Sequence, residues 1–351
     1  MIAIGKLTLD APFFQAGLAG YSDAAMRLVA RRHGAPFAVT EAMLDQTLLR
    51  GGKGLAAAEL DEEDHPIAGQ LMGSHPADIA AGARLLVGLG YDVIDVNLAC
   101  PVKKIRRNAR GGHLLAEPDE AIAILDAVRQ AVGDARPCTV KLRRGTDESA
   151  AAEGNFHRIL AATIELGYAG AVIHGRTVEQ KYIGPSRWPF LQRVVEQYGH
   201  APRGAPFLFG GSGDIETAAD VFRMLRETGV RLVSVARGAI GNPWIFRQAR
   251  ALMAGDATAA GRAPTLAEQR AVLLEHCALS VAHLDEEHAG PMMRKFGIKF
   301  SRHHPHAADV ARAFIAVKSL ADWHAVLEAQ YAGTEPSHDP TAPRTASPVE
   351  V

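Results

Sequence analysis

The sequence predicts a parallel α/β barrel of the TIM type, followed by a small all-helical domain. Three observations carry that expectation. Eight short apolar or β-branched runs begin roughly every 30 residues, each followed by an amphipathic stretch, and eight such units in about 250 residues suit a (β/α)8 barrel. The runs are continuously apolar rather than alternating, as in a sheet buried on both faces. A doubly wound sheet has fewer strands and an early G-x-G-x-x-G turn, and so fits less well.

Taken in order, strands are expected at 13–18 (FFQAGL), 37–41 (FAVTE), 67–72 (IAGQLM) and 92–97 (DVIDVN). Four more are expected at 138–142 (CTVKL), 169–173 (AGAVI), 206–209 (PFLF) and 231–236 (RLVSVA). Helices are expected at 77–89, 119–132, 155–166, 188–198 and 215–228, with another opening after Gly241-Asn242-Pro243. The barrel then occupies 1–254. A glycine-rich linker (AGDATAAGRAP) leads to a helical domain over 265–331, opened by a capping box, Thr265-x-x-Glu268. Residues 306–318 are expected to be helical, and a second capping box, Ser319-x-x-Asp322, starts a helix over 319–331. The tail, 334–351, is rich in Pro, Ser and Thr with few apolar anchors, and is expected to be disordered.

Composition narrows the function. The chain has 351 residues, 48% of them hydrophobic, enough for a sizeable core. Its net charge of −1, from 38 basic and 39 acidic side chains, excludes a general polycation, so any nucleic-acid contact must come from a local patch. No apolar run approaches the ~18 residues that span a bilayer, and the N-terminus does not read as a signal peptide. Three cysteines, Cys100, Cys138 and Cys277, without any CxxC pair, suit free thiols in the cytoplasm and no metal site. A monomer without membrane association is expected.

Barrels carry chemistry where strands end at the C-terminal face. Those ends offer Gln70, Asn97 with Cys100, Lys141 with Arg143, His174 with Arg176, the run Gly210-Gly211-Ser212-Gly213-Asp214, and Ala236-Arg237-Gly238. The 210–214 run and Arg237 close strands seven and eight, where backbone N–H groups and a helix N-terminus hold phosphate. The plainer reading is a pair of tight turns. Lys141 could stabilise negative charge on a reduced flavin or an enolate, or form a Schiff base. Gln70 suits a ring amide edge. Cys100 follows a strand and precedes Pro101; a thiol with an ordinary pKa of about 8.5 can donate a proton at neutral pH, or act as a nucleophile once deprotonated. Cys138 and Cys277 read as small buried hydrophobes.

Two basic patches interrupt the neutral whole. Lys103, Lys104, Arg106, Arg107 and Arg110 follow Cys100 directly. Arg294, Lys295, Lys299, Arg302, Arg312 and Lys318 gather in the helical domain, with His303, His304 and His306 among them. Both suit a polyanion. Phe300 and Trp188 are either stacking surfaces or packing residues.

These residues fall into an ordered set of motifs. Ala16-Gly17-Leu18-Ala19-Gly20-Tyr21-Ser22-Asp23, Gln70 in IAGQLMGS, Asn97-Leu98-Ala99-Cys100-Pro101, Val140-Lys141-Leu142-Arg143, His174-Gly175-Arg176-Thr177, Gly213-Asp214-Ile215 and the segment from Arg237 to Trp244 occur in sequence. Over roughly 12–331 the chain resembles the tRNA-dihydrouridine synthases, FMN enzymes with a TIM barrel and a helical C-terminal domain. It departs from their pattern at Leu18 (usually Met), Ser212 (usually Asn), His113 (usually a small residue) and Lys299-Phe300-Ser301 (usually an aromatic pair).

The resemblance implies that Gly17, Leu18 and Ala19 line FMN and that Gln70 and Lys141 hold its pyrimidine edge. It also implies that His174 lies beside the ring and that Ser212, Gly213, Asp214, Ala236 and Arg237 meet the ribityl phosphate. Cys100 would protonate C5 of a tRNA uracil as hydride reaches C6, with NADPH or NADH as reductant. Asn97, Lys103, Arg106, Arg176, Arg294 and Lys295 would bind tRNA. A target uridine must leave its stack to enter such a site. A flavin barrel reductase of another pyrimidine or small enone, a non-catalytic RNA-binding protein on the same scaffold, and a Schiff-base aldolase remain as other readings.

Overall fold

The structure, a computed structural model, describes residues 1–102, 111–199, 206–284 and 286–333. Lys103, Lys104, Arg106, Arg107, Arg110 and the 334–351 tail lie outside them.

The chain divides into two compact units. One comprises 1–31, 35–216 and 220–237; the other comprises 32–34, 217–219 and the chain from Gly238. Residues 238–254, expected in the barrel, therefore group with the helical unit.

The first unit opens with a hairpin, β1 (Ile2–Ile4) and β2 (Leu7–Leu9), turning at Gly5 with φ +56°. The barrel strands follow: β3 (Phe13–Gln15), β4 (Ala38–Val39), β6 (Ile67–Met72), β7 (Val93–Leu98), β8 (Cys138–Arg143), β9 (Gly170–His174), β10 (Leu208–Ser212) and β11 (Leu232–Val235). A two-residue strand, β5 (Met43–Leu44), pairs with the end of β6. Every barrel pairing is parallel, and β4 against β6 closes the ring at Ala38↔Ile67. All six residues of β6 and all five of β10 are buried, as strands covered on both faces must be.

Expected and observed elements differ mainly at their ends. The first strand stops at Gln15, because residues 16–23 form a looped segment over the barrel mouth. The seventh shifts to Leu208–Ser212, so Gly210 and Gly211 of the run read as a turn belong to the strand itself, and Gly213 keeps the turn. The helix expected at 215–228 begins at Ala218, after Gly213 and Asp214 turn the chain through positive φ. The helix expected at 155–166 begins five residues earlier, at Ala150, where the Ser149 hydroxyl accepts the Ala152 N–H at 3.2 Å. Its first turn, AAAEG, carries no apolar stripe to reveal it.

The barrel is sealed at its N-terminal end. Ile4 and Leu9 of the hairpin join Phe14, Phe37, Val39, Ala68, Val93, Leu208 and Leu232 in one buried cluster. Sequence reading left the hairpin out, although two apolar triplets around a Gly-Lys turn are its signal.

The second unit is helical: Trp244–Met253, Ala257–Gly261, Leu266–His283, Glu286–Phe300, Ala307–Ile315 and Leu320–Gln330. Both expected capping boxes form. The glycine-rich linker contains a short helix, Ala257–Gly261, capped by Asp256. Glu286–Phe300 contains Gly290 and Pro291, which hide it from sequence reading; a Cβ at Gly290 would sit 2.8 Å from the Leu320 nitrogen, so glycine lets two backbones meet. Phe296, Phe314 and Trp323 are fully buried within this unit. No helix among the described residues is long and apolar enough to cross a membrane.

Candidate active site

The C-terminal ends of the barrel strands surround a cavity of about 250 Å³. One water needs only ~10–15 Å³, so there is room for a ring system. Of the residues singled out from sequence, Gly17, Leu18, Ala19, Gln70, Asn97, Cys100, Lys141, Arg143, His174, Gly210, Ser212, Gly213, Asp214, Ala236 and Arg237 line it. Tyr182, Asp95 and Thr139 also line it and were not singled out.

The loop after β3 is held by one of its own side chains and by one from beyond β4. The Ser22 hydroxyl accepts the Leu18 N–H at 2.7 Å, and Glu41 accepts the Gly20 N–H at 2.8 Å. Gly17 is required there, since a Cβ would lie 2.1 Å from the Thr40 carbonyl oxygen.

A chain of polar side chains crosses β6, β7 and β8 beneath the cavity. Gln70 Nε2 donates to Asp95 Oδ2 at 2.7 Å, and Asn97 Nδ2 donates to Gln70 Oε1 at 2.7 Å. Asn97 Oδ1 accepts the N–H groups of Ala99 and Cys100, at 2.9 and 3.0 Å. Asn97, expected to meet substrate, thus shapes the turn on which Cys100 sits. Cys100 is half-buried, whereas burial shuts in Cys138 and Cys277 and pushes their thiols up to about 12 and about 11. The Cys100 carbonyl accepts the Gly112 N–H at 3.0 Å, and His113 reaches the Val102 carbonyl at 3.3 Å.

Two cations stand on β8. Lys141 Nζ is buried and has no hydrogen-bond partner among the described residues. Burial, and then Arg143, bring it down to about 7, against the pull of Asp95. Arg143 is fully engaged: it donates to the carbonyls of Ala99, Thr177 and Lys181, each at 2.8 Å. His174 on β9 is held well below the ordinary histidine value, first by burial and then by Lys141, Arg143, Arg176 and Arg237. It is neutral at pH 7, and because Nδ1 accepts the Arg176 N–H at 3.1 Å, the ring proton is on Nε2.

Gly213 (φ +110°) and Asp214 (φ +58°) form the turn after β10. A Cβ on Gly213 would meet Ser186 Oγ at 2.5 Å. Trp188 Nε1 donates to the Gly213 carbonyl at 3.0 Å, with the Arg223 guanidinium 4.7 Å from its ring centre, so Trp188 packs and does not offer a stacking face. Asp214 accepts Arg176 Nη2 and the Ser186 N–H, both at 2.6 Å. Its carboxylate therefore does not serve an incoming anion, and Arg176 lies outside the cavity lining, committed to Asp214 and the Gly184 carbonyl. Arg237 remains exposed, 3.7 Å from Asp214, with its guanidinium 5.1 Å from the Tyr182 ring centre. Arg143 lies 5.7 Å from the same ring. Nothing in the residue pattern around Tyr182 revealed this; it lies eight residues past β9 and enters only through loop folding.

In the helical unit, Arg294 is exposed, and Lys295 lies 5.2 Å from the Phe296 ring centre. Other members of that basic patch are spent structurally. Arg302 donates to the carbonyls of Gly238 and Ile240, Arg312 pairs with Asp309, and His303 and His304 are buried. Phe300 packs edge-on against Trp244 and is no stacking surface.

The sequence matches the family model for dihydrouridine synthases over residues 14–332. It is 32% identical over 337 residues to a probable tRNA-dihydrouridine synthase of Treponema pallidum, covering 93% of this chain and 95% of that one. It is 31% identical over 338 residues to tRNA-dihydrouridine synthase B of Xanthomonas campestris, covering 95% and 98%. Similar folds occur in histamine dehydrogenase from Rhizobium sp. 4-9 (TM-score 0.55, 14% identity, 79% of this chain and 50% of that chain). They also occur in a morphinone reductase variant (TM-score 0.53, 14% identity, 73% and 90%).

Proposed function

The chain belongs to the dihydrouridine synthase family, and from that premise we propose that it reduces the C5–C6 double bond of specific uridines in tRNA, using FMN and a nicotinamide reductant, NADPH or NADH. One observation carries the reading: a buried ammonium, Lys141 Nζ, without a partner in the protein, lines the same cavity as the half-buried thiol of Cys100.

FMN fits the residues present. Leaving a buried cation unpaired is costly, and Lys141 would hold the electron-rich pyrimidine side of a flavin, which would offer the missing acceptor. Gln70 has one N–H and one lone pair left for the same pyrimidine edge. The backbone of Ser212, Gly213 and Asp214 and the guanidinium of Arg237 suit the ribityl phosphate; Asp214 takes part through its N–H, because its carboxylate already holds Arg176. When bound, FMN supplies hydride transfer, from the nicotinamide to C6 of uracil.

The chain's own residues do the rest. Lys141 balances negative charge that would otherwise accumulate in a low-dielectric site. Neutral His174 offers an Nε2–H donor without adding a second cation. Cys100 gives the proton of its thiol to C5, so that hydride and proton together saturate the bond and leave a thiolate, which solvent reprotonates. Tyr182 and the exposed Arg237 guanidinium provide an aromatic and cationic rim for a base drawn out of the tRNA stack. Arg294 and Lys295 suit contact with the phosphate backbone.

The test is to delete the gene, digest the tRNA pool and map dihydrouridine by mass. The expected result is the loss of dihydrouridine at defined positions, restored by the wild-type gene. An unchanged map, or a purified protein that turns over a free pyrimidine but no tRNA, would replace this reading with that of a small-molecule reductase.

A further inference from the structure

We propose that Asp95 is a positioning residue for this site: its carboxylate fixes the orientation of Gln70 and, through Asn97, orders the turn that carries Cys100. The proposal rests on the reading of Cys100 as the proton donor.

The geometry begins in the barrel register. Asp95 on β7 lies opposite Gln70 on β6 and opposite Thr139 on β8. Asp95 and Asn97 are two residues apart on one strand and share its inner face. All these side chains line the cavity, and Asp95 is only 5% exposed.

An ionised carboxylate only accepts hydrogen bonds. Thr139 Oγ1 donates to Oδ1 at 2.6 Å and Gln70 Nε2 to Oδ2 at 2.7 Å. Asp95 therefore turns the Gln70 nitrogen toward itself and leaves the Gln70 oxygen for Asn97 Nδ2. That contact in turn leaves the Asn97 oxygen for the two backbone N–H groups at Ala99 and Cys100, which can only donate. Every link runs one way, and reversing either amide would set donor against donor or acceptor against acceptor. Burial raises Asp95, while Thr139, Gln70 and Lys141 oppose that rise by favouring the ionised form. Links that each fix the next, anchored on a carboxylate as buried as Asp95, are stiffer together than separately.

The proposal separates Asp95 from a residue that merely helps the barrel fold. In the purified full-length protein, iodoacetamide alkylation of Cys100 is followed by peptide mass for Asp95→Asn, Asn97→Ala and the double variant. Each single change should raise the rate by about fivefold, and the double variant should match the singles, because both act through one chain. Rates that multiply in the double variant, or an Asp95→Asn rate equal to wild type, overturn the proposal. Thr139→Val, nearly isosteric, should raise the rate about twofold and replaces Asp95→Asn should that variant not fold; no change overturns it.

A second arm uses FMN binding, read by flavin fluorescence. Asp95→Asn should weaken it about tenfold, but less than about twofold in a Gln70→Leu background. Equal losses in both backgrounds overturn the orienting role. A wild-type protein that binds no FMN would instead defeat the proposed function, and the alkylation rates would still decide the role of Asp95.

Discussion

The two ends of the same barrel are built to opposite rules. At the N-terminal end the hairpin carries Ile4 and Leu9 into a cluster of buried apolar side chains. At the other end Lys141 Nζ is buried without a partner, and Arg237 stands exposed beside a glycine turn. The apolar cluster also floors the candidate cavity, which Ile4, Phe14, Phe37 and Leu232 line from below, so the two ends meet inside one space. The strands between them supply both, since β8, β9 and β10 run through buried apolar positions to end on Arg143, His174 and Ser212.

Substitutions at each end should therefore fail in different assays. The largest effect is expected of Cys100→Ala, which should keep bound flavin while slowing dihydrouridine formation about 10²- to 10⁴-fold, measured by single-turnover mass analysis of tRNA. Next, Leu9→Ala at the sealed end should cost roughly 2–4 kcal/mol in denaturant unfolding and leave FMN affinity within about twofold. Lys141→Met should show the reverse, with FMN affinity lowered some 10- to 100-fold and the flavin-free protein no less stable. If both variants lose stability equally, the contrast between the ends is mistaken.

A pH series sharpens the contrast. In the flavin-free protein Lys141 is lowered to about 7. A flavin edge that needs the ammonium then requires proton uptake above that pH. FMN affinity should fall as pH rises through about 7, by at most about tenfold per unit, and Lys141→Met should be flat over the same range. The sign for stability is opposite: between about 7 and the ordinary lysine value the unfolded chain holds the proton and the folded one does not, so the penalty this group places on folding is relieved as pH rises. The smallest effect lies outside both ends. Arg294→Glu with Lys295→Glu should weaken tRNA binding several-fold, with a salt slope shallower by about 1 to 2, and leave nicotinamide oxidation by the flavoprotein unchanged.

Much of the barrel was legible because its strands are short apolar runs at even spacing, each followed by an amphipathic stretch. The interior of β6 to β9 is found where periodicity places it, within a residue or so. What escaped lacks that signal. The hairpin strands are three residues each, and Glu286–Phe300 is interrupted by Gly290-Pro291. In the site, residues at strand ends were visible because position on a barrel implies direction. Asp95 was passed over because it sits inside an apolar strand, where a lone carboxylate reads as an interruption and not as the terminus of a hydrogen-bond chain. Charge counting could not show that Arg302 is held by the carbonyls of Gly238 and Ile240, since sequence shows where arginines occur but not which carbonyls hold them.

Asp214 ties together two things that would otherwise vary separately. Through its backbone it belongs to the turn suited to phosphate, and through its carboxylate it anchors Arg176 and Ser186, the two bases of the segment that presents Tyr182. On the proposed function, remodelling residues 177–185 to admit a different nucleobase would thus register in cofactor affinity, and tightening the cofactor's hold would register in base selectivity. Evolving a new target for this scaffold means crossing that linkage, and variants at Asp214 are where the trade-off becomes measurable.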